Sequence, residues 1–144
     1  MRKWTVIGAL VVAVAALGSV ATAEDLGGTG KYMCSSAWAI SCASDQICET
    51  GPATEWNIPQ FVIADLDAKT LSTTEASDEA RTTPIELVRS EDGLVFIQGH
   101  ELGRAFSMVV SESTGSVSAS IVMENVTISV FGSCTPLPVE EVTP

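Results

Sequence analysis

Histidine is nearly absent from this chain. His100 is the only one in 144 residues, and cations are scarce too, with seven Lys and Arg against eighteen Asp and Glu. A single histidine leaves no His-Glu-x-x-His zinc motif and no histidine-rich metal cluster. So few cations argue against a nucleic-acid surface, because phosphate binding rests on Lys and Arg. No Gly-x-Ser-x-Gly nucleophile elbow occurs. Gly28-Thr29-Gly30-Lys31 fails as a phosphate loop: Asp25 stands at the first glycine position, and Tyr32 follows the lysine where a hydroxyl should bind magnesium. Asp65 and Asp67 have the spacing of a calcium loop but lack the glycine and distant glutamate that complete one, so they read as a solvated turn. His100-Glu101 is the one place where imidazole and carboxylate adjoin, and it reads as a hairpin end in solvent. The sequence therefore predicts no catalytic residues, no metal and no cofactor: not an enzyme.

Long apolar runs are missing after residue 20. Before it, Arg2 and Lys3 precede an apolar run from Val6 to Ala16, interrupted only by Gly8 and continuing loosely to Val20, and Ala21-Thr22-Ala23 supplies a small-x-small cleavage pattern. The fully apolar part falls short of the ~20 residues needed to span a bilayer, so 1–23 reads as a signal peptide rather than an anchor. A periplasmic or secreted protein with no membrane insertion after cleavage is expected. Five Lys and Arg then remain against eighteen Asp and Glu, a formal charge of −13. That surface suits solubility or a basic protein partner. Residues 24–30 form a flexible leader, 31–134 a single domain, and 135–144, with three prolines, a disordered tail.

Four cysteines in an exported chain of this size imply two disulfides, and their spacings fit no common zinc finger. Cys34, Cys42 and Cys48 lie together while Cys134 is distant, so any full pairing joins the two ends of the domain. The turn-like Ser44-Asp45-Gln46 favours Cys42–Cys48 with Cys34–Cys134, and Cys42–Cys134 stands as the alternative. In the chain-entropy model the long loop contributes about 4.7 kcal/mol and the short one about 2.4.

The remaining pattern is β throughout. Tyr32, Cys34, Trp38, Ile40 and Cys42 share one parity of a first strand, which places Trp38 in the core. Glu49–Pro59 reads mostly as loop, and Ala76–Arg81 as one helical turn. Gln60–Leu66 and Thr70–Thr74 read as strands, and Ile85–Ser90 with Leu94–Gln98 as a hairpin through Glu91-Asp92-Gly93. Phe106, Met108 and Val110, then Val117, Ala119, Ile121 and Met123, then Val126, Ile128 and Val130 alternate with a serine-rich set, forming a three-strand meander. Cys134 is in phase with its apolar face unless Gly132 makes a bulge. About eight antiparallel strands with the first tied to the last predict a small all-β up-and-down barrel, with a two-sheet sandwich as the alternative.

Tyr32-Met33-Cys34, Cys42, Cys48 and Phe131-Gly132-Ser133-Cys134 together resemble small exported proteins of Gram-negative bacteria that carry a disulfide-tied β-barrel. The architecture is also similar to that of the periplasmic lysozyme inhibitors. The chain lacks their Ser-Gly-x-x-Tyr loop, since Tyr32 is its only tyrosine, so no inhibitory residue carries over. The leading expectation is a non-enzymatic periplasmic binding or inhibitor-like module acting on a protein or a small apolar ligand. A structural, envelope-associated protein without a ligand is the alternative. Trp56, beside Asn57 and Pro59, could rim a barrel mouth, although core packing is its default. Trp56 and His100 are the binding candidates.

Overall fold

The computed structural model describes residues 30–138. The expected signal peptide 1–23, the leader up to residue 29 and tail residues 139–144 lie outside them. Ten strands follow in order: β1 (Lys31–Ala43), β2 (Cys48–Gly51), β3 (Phe61–Asp65), β4 (Thr70–Thr73), β5 (Thr82–Pro84), β6 (Leu87–Glu91), β7 (Leu94–Glu101), β8 (Arg104–Ser111), β9 (Ser116–Met123) and β10 (Val126–Pro136). One 3-10 turn, Ala53–Trp56, lies between β2 and β3, and no α-helix occurs among the described residues.

All strands belong to one curled antiparallel sheet ordered β5-β4-β3-β1-β10-β9-β8-β7-β6, with β2 hairpinned onto β1. A single sheet, not a two-sheet sandwich, is the outcome. The two ends of this path, β5 and β6, are consecutive in the chain. Between them the Ile85 N–H donates to Lys69 O at 2.8 Å, on the β4 side, and the Glu86 N–H donates to Gln98 O at 2.8 Å, on β7. The 82–91 segment is thus one bent stave serving both neighbours. Counted that way, the staves follow sequence order around the curl and β1 meets β10, as an up-and-down barrel requires.

The disulfides take the favoured pairing, Cys34–Cys134 and Cys42–Cys48, and each joins directly opposed residues of a strand pair. Cys34 and Cys134 are buried in the main core with Tyr32, Ala64, Ile85, Val95, Ile97 and Val110. Ile97, Ile128, Val95 and Val110 are fully enclosed, each contributing about 1.5–3 kcal/mol by burial. A second, smaller cluster of Ala39, Ala53, Ile128 and Val130 packs under the 3-10 turn, with Trp56 half-buried against it.

The meander alternates as expected, with Val110, Val117, Ile128, Val130 and Cys134 all inward. Trp38 does not follow its expected parity. It is 49 % exposed on the outer face, because the β1–β10 register shifts between Ser36 and Trp38. Ala37 is the extra residue, and every side chain after it changes face: Tyr32 and Cys34 point inward before the bulge, Ala39 and Ser41 after it. The shift occurs where β1 changes partners. Residues 31–35 pair with β3, Ser36 N–H and Oγ bond to Gln60 O and Pro59 O at 2.9 and 2.8 Å, and residues 39–42 pair with β2. Gly132 stands opposite the bulge rather than forming it. Its pairing with β9 is regular, and a Cβ there would collide with Ser35 O of β1.

Three boundaries also differ. Glu49–Pro59, read as loop, contains most of β2 and the 3-10 turn, because the Cys42–Cys48 hairpin extends into paired backbone through Gly51. Ala76–Arg81 forms turns and bends instead of a helical turn; Arg81 is tied back to β4, its carbonyl accepting from the Thr73 N–H and its own N–H donating to Thr73 Oγ1, both at 2.9 Å. Finally, β10 continues two residues past Cys134, since Thr135 and Pro136 still face Met33 and Tyr32.

Candidate functional site

The two ends of the barrel are filled differently. At the end where Lys31 faces Asp65, Tyr32, Ile85, Val95, Ile97 and Val110 close the interior. A barrel of eight staves is just wide enough for its side chains to fill, or for one small ligand. Toward the opposite end a cavity of about 310 Å³ opens. Its walls are Val62 of β3, Leu71 of β4, Phe106 and Met108 of β8, Ala119 and Ile121 of β9, with Val130 of β10 behind them. Two small residues make the space. Ala119 leaves the wall shallow between the two core clusters, touching both. Gly99 lies directly opposite Phe106, and a Cβ on it would sit 2.7 Å from that ring. The missing side chain lets the ring lie against β7 and keeps it out of the lumen.

The mouth is polar. Asn57, Ile58 and Pro59 form one side, and Arg81, Thr83, Glu101 and Arg104 the other, with Glu79 outside them. Arg81 is held by its backbone to Thr73, and its Nη2 donates to Asn57 O at 3.4 Å, linking the two sides. Thr83 Oγ1 donates to Glu101 Oε2 at 2.5 Å, so the bent β5–β6 stave is tied to β7 by a side-chain bond as well. Glu101 and Arg104 face each other across the two-residue Leu102-Gly103 turn, yet they form no ion pair. The half-buried Arg104 has neither an ion pair nor a hydrogen bond for its guanidinium among the described residues.

Neither sequence candidate lies in the cavity wall. Trp56 immediately precedes the Asn57–Pro59 side of the mouth, but its ring packs on the Ala39–Ile128 cluster. His100 projects from the outer face of β7, where its Nδ1 meets Glu86 Oε1 at 2.7 Å, both side chains more than half exposed. Among the described residues the polar side-chain partner of His100 is Glu86, not a serine or a second acid. Asp65 works as a turn residue: its Oδ1 accepts the Ala68 N–H at 2.8 Å and its Oδ2 pairs with Lys31 at 3.3 Å. The Ala68 bond chiefly, aided by Lys31, holds its carboxyl below the ordinary range against a smaller opposing effect of burial. Among the described residues no three His, Cys, Asp or Glu side chains converge as metal ligands.

The residues that sequence reading missed are Phe106 as a lumen wall, Arg81 and Arg104 as rim cations, and Gly99 as spacer. The signal available was scarcity. Only five Lys and Arg occur between residues 30 and 138, and two of them flank short turns that a barrel topology brings to the same end. Comparison with protein-family models and with curated proteins finds no match to this chain.

Proposed function

We propose that the protein is an exported, non-enzymatic binding module that takes a small apolar ligand into the open end of its barrel. The cavity carries this reading: about 310 Å³ of space walled by Val62, Leu71, Phe106, Met108 and Ile121. That volume is at the small end of the range for small-molecule sites, about 300–1,000 Å³. An apolar lumen with a few polar groups at its mouth is what such sites share, the walls giving affinity and the rim orientation. A purely structural domain would gain from a filled interior, since empty core volume costs stability. Export is supported by the 1–23 signal pattern and by the two disulfides, which persist in oxidising compartments. The periplasm is the compartment that the resemblance to small exported bacterial proteins favours.

Titration with 1-octanol, followed by calorimetry and by amide NMR shifts, tests the proposal. Saturable one-to-one binding is expected, with the largest shifts at Leu71, Phe106, Ala119 and Ile121. Ala119→Phe should fill the lumen and abolish it while raising or preserving the thermal midpoint. Absence of saturable binding to the natural chain would defeat the reading.

A further inference from the structure

We infer that the ligand is an amphiphilic anion, a short- to medium-chain aliphatic carboxylate whose head group is received by Arg104 and oriented by Arg81. This rests on the apolar-ligand reading above and adds its chemical class. The argument is one of charge placement. The chain is strongly acidic, with a net charge of −11, and between residues 30 and 138 it holds five Lys and Arg. Of those, Lys31 pairs with Asp65 and Arg89 with Glu91, both on the outer surface. Arg81 and Arg104 instead line the apolar cavity described above. Arg81 spends one donor on Asn57 O, and Arg104 spends none.

No side-chain nitrogen among the described residues is both buried and unbonded, so in the free domain water reaches the donors of Arg104. A carboxylate at the mouth can take the place of that water and supply two acceptors in the matching planar fork. The rim acids do not supply them. Glu101, the residue directly facing Arg104 in register, has an oxygen engaged by Thr83, and Glu79 lies exposed at the outer edge. With Glu101 turned to Thr83, the donors of Arg104 are left for a guest at the mouth. The alkyl chain of that guest would run down between Phe106 and Ile121 toward Met108. The acidic exterior does not forbid an anion. Water and salt screen surface charge over about 8–10 Å, whereas a contact at the mouth is shielded from that screening.

The test uses three probes of equal length, sodium octanoate, 1-octanol and octylammonium chloride, titrated by calorimetry against the oxidised protein at neutral pH. Octanoate should bind at least tenfold more tightly than octanol, and octylammonium more weakly than either. Arg104→Gln should reduce octanoate affinity roughly tenfold and octanol affinity by no more than about twofold. Arg81→Gln should act in the same direction by a smaller factor. Circular dichroism and a thermal midpoint close to that of the natural protein check that the variants fold. Equal affinity for octanoate and octanol in the natural protein, or a preference for octylammonium, would overturn this inference while leaving the apolar-ligand reading intact. Loss of octanol binding along with octanoate in Arg104→Gln would also overturn it, because the side chain would then be structural. Binding of none of the three probes defeats the apolar-ligand reading itself.

Discussion

Replacing Cys34 and Cys134 together by alanine removes a covalent link between residues 100 positions apart. The native sheet should change little. The bridge is one rung among the paired residues from Tyr32–Pro136 to Ala43–Val126 of the β1–β10 ladder, and hydrogen bonds continue on both sides of it. The effect belongs to the unfolded chain, which regains the freedom that a closed loop of that length denies it. The chain-entropy model sets the loss at about 4.7 kcal/mol, against about 2.4 for opening the Cys42–Cys48 loop, whose ends are 6 positions apart. A domain of this size has a total stability of about 5–15 kcal/mol, so the first variant should be marginal and the second comfortably folded. Urea unfolding by circular dichroism separates the two. The long-loop variant should show a much lower midpoint and a steeper dependence on urea, because its unfolded state expands; the short-loop variant should lose about half as much stability with its slope nearly unchanged. If opening the short loop proves as costly as opening the long one, or if the long-loop variant loses stability without a steeper slope, the stabilisation lies in native packing around the buried sulfurs and the reasoning fails.

Gly132→Ala places a methyl against Ser35 O and should cost roughly 1–3 kcal/mol by forcing β1 away from β10, and a thermal midpoint within a degree of the natural protein's would contradict the close approach. Ile128→Ala should cost about 2–5 kcal/mol, whereas Trp38→Thr, on the outer face, should stay below about 1 kcal/mol; a reversed order in denaturant titrations would put Trp38 back in the core. Asp65 has its folded-state pKa lowered, so its contribution is present above the ordinary carboxylate range near pH 4 and is lost as the pH falls through the lower folded value. Asp65→Asn keeps an acceptor for the Ala68 N–H but loses the Lys31 pair, so it should cost under about 1 kcal/mol at neutral pH and flatten the acid limb of the stability curve. Parallel acid limbs for the two proteins would show that Asp65 contributes nothing there.

Much of this architecture was legible because β-structure writes itself in a period of two. Within Phe106–Val130 the strands alternate apolar and polar residues apart from Val109 and Val122, and a single buried face demands that pattern whatever the neighbours are. Cysteine spacing made the end-to-end bridge readable for a similar reason: with three cysteines clustered and one distant, arithmetic alone joins the termini of the domain once all four pair. Trp38 was not legible, because one extra residue at Ala37 reverses every face after it. That insertion is decided by β1 exchanging β3 for β2 along its edge, a contact between segments that local pattern cannot see.

The mouth of the barrel was hidden in the same way. Arg81, Glu101 and Arg104 sit in turns and strand ends with no periodicity to mark them, and Gly99 reads as a weak point in a strand. Only closure of the sheet, with residues 82–91 serving two neighbours, carries Thr83 to Glu101 and the two guanidiniums to one cavity. Most of the strands, the apolar face of the meander and the bridge that joins first to last follow from the sequence, through local alternation or counting. The lumen and its charged rim were decided by tertiary structure alone, because empty volume and the pairing of distant charges are properties of how strands curl around one another.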